Sequence, residues 1–232
     1  MKVLSIETSG KICGISILEN KKAIKEITLD NGLTHSETLM PIIKKAFDEA
    51  NRKIKDIDLI VCDKGPGSFT GIRIGIATAK AFSDALNIKT IGISSLEALC
   101  YNVENSSIIC SLIDAKNENC YWCIFENLDG KYLLKRNFDL TNINDILVEL
   151  KNLNLKCDLT FTGDGAINYK NKIIEVLPKS QFCEKPISPT KLALCGLTHC
   201  ETEKTKEDLL PMYLRKSQAE ILLEEKQNAT NK

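Results

Sequence analysis

Lys64 to Leu86 reads KGPGSFTGIRIGIATAKAFSDAL, and it follows a strand-like run, Leu59 to Asp63. The chain therefore passes from a strand through a glycine and proline turn into a helix rich in small residues. Gly65 and Gly67 open backbone angles closed to other residues, and Pro66 stiffens the turn between them. Gly67, Gly71, Gly75 and Ala79 recur every fourth position, so one stripe of the helix carries almost no side chain. Glycine in a helix interior costs about 1 kcal/mol relative to alanine. Gly71 and Gly75 thus imply a compensating close contact, and two surfaces can supply it: the protein's own sheet, or a helix of another subunit. Phosphate binding at the helix N-terminus fits poorly, because G-P-G-S-F-T-G matches neither G-x-G-x-x-G nor G-x-x-x-x-G-K-[ST].

Outward from this segment the periodicity repeats itself. The first half reads as strands at Val3 to Thr8, Cys13 to Leu18 and Ile24 to Leu29, a helix ending near Asn51, the strand at Leu59 and the small-residue helix. A strand at Thr90 to Ile93 and a short helix from Ser95 complete a βββαβαβα order. In the first helix Leu39, Ile42, Ile43, Ala46, Phe47 and Ala50 form an apolar stripe, and Thr34 with Glu37 reads as a capping box. Pro41 leaves two starts open: a cap at Thr34 places it in the interior, a cap at Thr38 in the first turn. The second half repeats the order, with strands at Ile108 to Ile113, Tyr121 to Phe125 and Tyr132 to Phe138, then a helix at Ile143 to Leu150. A strand at Leu159 to Thr162, a helix at Ala166 to Leu177, a weak strand near Phe182 and a helix after Pro189 follow. Two such units in tandem match, by analogy, an α/β protein of two ribonuclease H-like domains, the arrangement of actin, sugar kinases and the Hsp70 ATPase. Polar Asn102 to Ser107 is the join, giving an N-terminal domain over 1–103 and a C-terminal domain over 104–232. The tail from Lys204 carries Leu209, Leu210, Met212, Tyr213 and Leu214 and is too apolar to be disordered throughout, whereas Glu224 to Lys232 reads as flexible.

Composition narrows the chemistry. The 31 basic and 31 acidic residues cancel, so nothing electrostatic favours a grip on nucleic acid by this chain alone. No apolar run approaches the roughly 20 residues of a membrane span, and MKVLSIETSG lacks the core of a signal peptide, which implies a cytoplasmic protein. The ten cysteines sit in apolar contexts such as Ile12-Cys13, Val61-Cys62, Ile109-Cys110 and Leu194-Cys195, as reduced core thiols do. Cys120-Tyr121-Trp122-Cys123 is formally C-x-x-C, but in a strand those two positions face opposite ways. Cys195 and His199 share a helix face, with Cys200 beside them, and read as a core thiol near a surface histidine. His35 and His199 are the only histidines, so no His-rich metal centre can form. Asp114 and Glu118 form a candidate carboxylate pair at a strand end, where solvated charge is the default. Arg73 reads equally as an interface partner or a solvent-facing charge.

Several segments together resemble the TsaB family of tRNA threonylcarbamoyladenosine biosynthesis proteins over nearly the whole length. They are VLSIETS, His35-Ser36-Glu37 with Leu39 and Pro41, GPGSFTGIRIG, Ser94-Ser95-Leu96-Glu97-Ala98, Asp114-Ala115-Lys116 and Tyr213-Leu214-Arg215. The family usually carries aspartate where this chain has Glu7. The resemblance implies a non-catalytic partner of TsaD, the related subunit that transfers a threonylcarbamoyl group to adenosine beside the anticodon of tRNAs reading codons that begin with A. It further implies the TsaE ATPase as a partner through the TsaB-TsaD pair, a homodimer when alone, and tRNA held only through the complex. TsaD-like chains hold metal partly through H-x-x-x-H after the fifth strand, where this chain has Ser95 to Leu99. Accordingly no catalytic residue, cofactor or metal ligand is expected here. The contact surface for TsaD or a second copy is expected on two helices of the first domain. It takes Leu39, Ile42 and Ile43 from the first, and Phe69, Thr70, Gly71, Arg73, Ile74, Gly75, Thr78 and Ala79 from the second. The alternatives are a degenerate ATPase or kinase-like enzyme of the same fold and a peptidase-like protein.

Overall fold

The computed structural model of the chain describes residues 1–30, 32, 34–153, 158–202 and 208–215. The flexible tail expected from Glu224 onward lies outside them. Strands β1 (Lys2–Glu7), β2 (Cys13–Glu19) and β3 (Lys22–Leu29) form an antiparallel meander, followed by helix α1 (His35–Ala50), β4 (Leu59–Asp63), α2 (Phe69–Leu86), β5 (Lys89–Ile93) and α3 (Ser95–Cys100). The same succession recurs as β6 (Ile108–Asp114), β7 (Asn119–Leu128), β8 (Lys131–Asn142), α4 (Ile143–Asn152) and β9 (Leu159–Thr162). It ends with α5 (Asp164–Asn168), α6 (Lys170–Val176), β10 (Gln181–Cys183) and α7 (Pro189–Thr202). One sheet is ordered β3-β2-β1-β4-β5 and the other β10-β9-β6-β7-β8, so the second is the first read in reverse. In each, the strand that opens the unit is central, antiparallel to the second and parallel to the fourth. The tandem duplication predicted from element order is therefore a duplication of topology.

Buried central strands need cover on both faces, and period-two alternation states which residue goes to which. Leu4, Ile6, Ile60 and Cys62 join α1 and α2 in one core. Val3, Leu59 and Val61 face the other way, onto Leu192, Ala193, Cys195 and Leu197 of α7. The Ser5 hydroxyl on that side donates to the Pro189 carbonyl at 2.7 Å. In the second sheet Cys110, Leu112, Trp122 and Phe161 pack with α4 to α6, while Ile109, Cys123 and Phe125 pack against Leu96 and Cys100 of α3. Each half thus sends its last helix across: α3 covers the second sheet and α7 the first. A cut between 103 and 104 separates the sheets but not their coverings. Cys120 and Cys123 lie in different cores, as the strand period requires.

Local chemistry sets the helix ends. The Glu37 carboxylate accepts from the Thr34 N–H at 3.1 Å and from its hydroxyl at 2.6 Å, so α1 starts after Thr34 and Pro41 stands inside it, on the exposed face. Ser68 caps α2, its Oγ accepting the Gly71 N–H at 3.2 Å, and Asn87 closes it in the left-handed region at φ 53°. The single helix expected over Ala166 to Leu177 is two, α5 and α6. Tyr169 between them takes φ −106° and ψ 17°, outside the helical well. Among the described residues no helix is long and apolar enough to cross a membrane.

Candidate functional site

The ends of β1 and β4 converge on the glycine turn, and two carboxylates meet beneath it. Glu7 and Asp63 are 2 % and 0 % exposed. Glu7 Oε1 accepts from the Ser9 N–H and the Ser9 hydroxyl, each at 2.8 Å, and from the Gly10 N–H at 3.3 Å. The Ser9 hydroxyl lies 3.1 Å from Asp63 Oδ2, and Asp63 Oδ1 accepts the Gly65 N–H at 2.7 Å and the Ser95 hydroxyl at 2.6 Å. Burial first, and the Asp63 charge second, push the Glu7 carboxyl well above its ordinary range. The turn's own donors all go to Oε1, and Glu7 Oε2 is buried without a hydrogen-bond partner among the described residues.

That hub sets the seat of α2. A Cβ at Gly71 would stand 2.0 Å from the Thr8 carbonyl oxygen, one at Gly75 2.4 Å from Thr8 Oγ1, and one at Gly67 2.4 Å from the Ser9 carbonyl oxygen. The Thr8 hydroxyl donates to the Gly71 carbonyl at 2.8 Å, and the Ser68 N–H to the Ser9 carbonyl at 2.6 Å. The small-residue stripe is therefore filled by the end of β1, and of the two surfaces that sequence leaves open it is the protein's own sheet. Gly71, Gly75 and Ala79 are buried there, and Leu39, Ile42 and Ile43 are 1–3 % exposed in the same core. These six of the eleven residues assigned to partner contact have no free surface to offer, because the apolar stripes of α1 and α2 are spent on the first sheet. A larger side chain at Gly75 would therefore disturb internal packing. His35 closes the hub from outside, its Nε2 2.9 Å from the Gly10 carbonyl oxygen.

The remaining five keep some outward surface. Phe69, Thr70 and Arg73 are exposed, and Ile74 and Thr78 half-buried. Arg73 stacks on Phe69 at 3.9 Å from the ring centroid, and its Nε donates to the Tyr213 hydroxyl at 2.8 Å. Tyr213 itself stacks on Phe69 at 4.5 Å between centroids. Sequence reasoning missed Tyr213 as part of this surface, because 140 positions separate it from Arg73. The tail is held in place by the Met212 N–H, which donates to the Lys64 carbonyl at 2.6 Å, and by Leu209, 4 % exposed in the first core.

Elsewhere, Asp114 and Glu118 are not brought together. Asp114 accepts from the Lys116 N–H at 2.8 Å, Lys116 Nζ at 2.7 Å and Asn168 Nδ2 at 3.1 Å, whereas Glu118 pairs with Lys172. Burial pushes the Asp114 carboxyl up, but Lys116 and Asn168 outweigh it and hold it below its ordinary value. His199 Nε2 lies 2.6 Å from Glu97 Oε1, and Cys195 is fully buried beside them. Burial, then the nearby Glu97 charge, push the Cys195 thiol well up.

Residues 30–222 match the family model described as TsaD: tRNA N6-adenosine threonylcarbamoyltransferase. The chain is 30 % identical over 230 residues, covering 95 % of it and 96 % of the relative, to the tRNA threonylcarbamoyladenosine biosynthesis protein TsaB of Bacillus subtilis. It is 32 % identical over 177 residues to the protein of the same name from Buchnera aphidicola, covering 74 % of this chain and 83 % of that one. Among solved structures it superposes on YeaZ from Pseudomonas aeruginosa with a TM-score of 0.77 at 23 % identity, over 92 % of this chain and 99 % of that one.

Proposed function

The chain belongs to the TsaB family of tRNA threonylcarbamoyladenosine biosynthesis proteins, and on that premise we propose that it acts as the non-catalytic partner of a TsaD-type threonylcarbamoyl transferase. The observation that carries this reading is the interior of α3. Ser95 and Leu99 stand where the TsaD-like H-x-x-x-H is expected; they are 0 % and 3 % exposed, and the Ser95 hydroxyl is committed to Asp63. The turn after β1 supports it as well, since its Ser9 and Gly10 N–H groups face the chain's own Glu7 rather than an incoming phosphate. In this reading the chain works in the cytoplasm, forms a homodimer when alone, joins a TsaE-type ATPase through the transferase, and meets tRNA only within the complex. The outer face of α2, with Phe69, Thr70, Arg73, Ile74 and Thr78 and with Tyr213 laid over it, is the surface on which the transferase and a second copy compete.

The test mixes purified chain, a TsaD-type transferase, threonylcarbamoyl adenylate and tRNA, and reads the nucleosides after digestion. The chain alone is expected to make no modified adenosine and the mixture to make it. Phe69→Asp, which changes an exposed ring, is expected to keep the fold and lose both transferase capture and self-association. Modification by the chain alone, or unchanged assembly by Phe69→Asp, overturns the reading.

A further inference from the structure

Helices α3 and α7 meet between the two sheets, and an acid, a thiol and an imidazole converge there. Glu97 projects from α3. Cys195 and His199 project from α7 four residues apart and so share one face. One potential ligand atom from each of the three lies within 4.8 Å of the others. Donors bound tetrahedrally to one zinc ion at about 2.0–2.3 Å stand about 3.3–3.8 Å apart, so the three atoms must draw together by up to about 1.5 Å to share a single cation, a shift within reach of side-chain rotation. The site has a dry floor and an open rim. Cys195 sits among Leu192, Ala193 and Leu197, whereas the side chains of Glu97 and His199 keep 14 % and 29 % exposure, which gives an ion a way in.

We propose that Glu97, Cys195 and His199 form a binding site for a zinc-like divalent cation that fastens α7 to α3. Thiolate, imidazole and carboxylate are donor types that zinc accepts, and this mixture disfavours magnesium and calcium, which take oxygen. The charges fit. A dication balances one thiolate and one carboxylate, leaving a neutral cluster where a bare thiolate would be costly to bury. Binding releases the Cys195 proton to solvent and replaces the 2.6 Å contact between His199 and Glu97 with two bonds to the ion. Without an ion the His199–Glu97 contact crosses the helices, and the Cys195 thiol makes side-chain hydrogen bonds with Tyr101 and Glu97. The site lies away from the outer face of α2, and its occupancy is independent of the partner proposed for that face.

Full-length chain, reduced and stripped of metal, is titrated with Co2+ and then Zn2+. One cobalt per chain is expected, with a near-ultraviolet sulfur-to-cobalt charge-transfer band that zinc removes. Cys195→Ser abolishes the band, and Glu97→Gln and His199→Gln weaken cobalt binding by more than the about 10–100-fold typical of losing an outer-shell partner. Zinc raises the Tm of the parent chain and not that of Cys195→Ser. The absence of a band, or a band that survives Cys195→Ser or disappears only with Cys200→Ser, overturns the site. Should Cys195→Ser fail to fold, the two half-exposed variants carry the test: unchanged cobalt affinity in both overturns it equally.

Discussion

The tips of β1 and β6 occupy the same place in two copies of one topology, and both carry a carboxylate, yet the two are opposite in character. Glu7 is buried beside Asp63, has its carboxyl pushed well up by burial and that neighbour, and is wrapped by the N–H groups of its own turn. Asp114 stays ionised, held by Lys116 and Asn168 beside the start of α5, where Asp164 accepts the Asp114 N–H at 3.0 Å. The seats of the following helices differ in step. Gly71 of α2 meets the Thr8 carbonyl at 2.0 Å from its ideal Cβ, while Gly165 of α5 has 3.0 Å of clearance from the Leu112 carbonyl carbon. Duplication conserved the backbone path, and local chemistry divided the roles: the first tip is a tight packing joint, the second a charged one whose carboxylate pairs with an exposed lysine.

The largest effect is expected where the joint is tightest. Gly71→Ala places a methyl group against a backbone oxygen that cannot move without displacing β1, costing about 1–3 kcal/mol. At this size each kcal/mol lowers Tm by about 2–4 °C. Gly165→Ala should lose less, since its nearest neighbours need yield only slightly. Thermal melts of the two variants side by side check this, and equal or reversed losses break the comparison.

Next comes pH. In the folded chain Glu7 titrates above its ordinary 4.5, so over the interval between the two values the folded state holds a proton that the unfolded chain has released. The contribution of Glu7 is therefore full below that ordinary value and falls as pH rises through the interval, by about 1.4 kcal/mol per pH unit crossed. Glu7→Gln copies the protonated shape, keeps an acceptor for Ser9 and Gly10 and offers an N–H to Asp63. Denaturant unfolding across acid to neutral pH should show the variant gaining on the parent as pH rises, with the two converging in acid. Parallel curves would mean that Glu7 is ionised in the fold.

The smallest effect belongs to the charged tip, where the sign reverses. Asp114 is depressed below its ordinary 3.8, so its contribution is present above that value and is lost as pH falls through the lower folded one. Lys116→Met should move the Asp114 carboxyl upward in an NMR titration with little change in Tm, because the lysine side chain is 78 % exposed. An unmoved Asp114 would show that Asn168 and the backbone donor hold the charge without the ammonium.

Much of the fold is legible in the order of residues alone. The run Val3 to Thr8 announces a strand, and the stripe from Leu39 to Phe47 announces a helix with one apolar side. Gly71 and Gly75 announce a close approach. Repetition of βββαβαβα implies one topology used twice, and the block GPGSFTGIRIG carries the family. These signals are local: they report whether a side chain leaves water, through a period of 2 or 3.6 set by the backbone itself. They do not name the surface that receives it. An apolar stripe is satisfied equally by the protein's own sheet, by the other sheet or by a second chain. Tertiary structure alone therefore decided that Thr8 fills the glycine stripe, that α3 and α7 exchange sheets, and that Tyr213 lies over Phe69 and Arg73. The upward push on the Glu7 carboxyl and the meeting of Glu97 with Cys195 and His199 belong with them. Each depends on groups distant in sequence entering one low-dielectric space, where desolvation and neighbouring charge act through distance rather than through spacing along the chain.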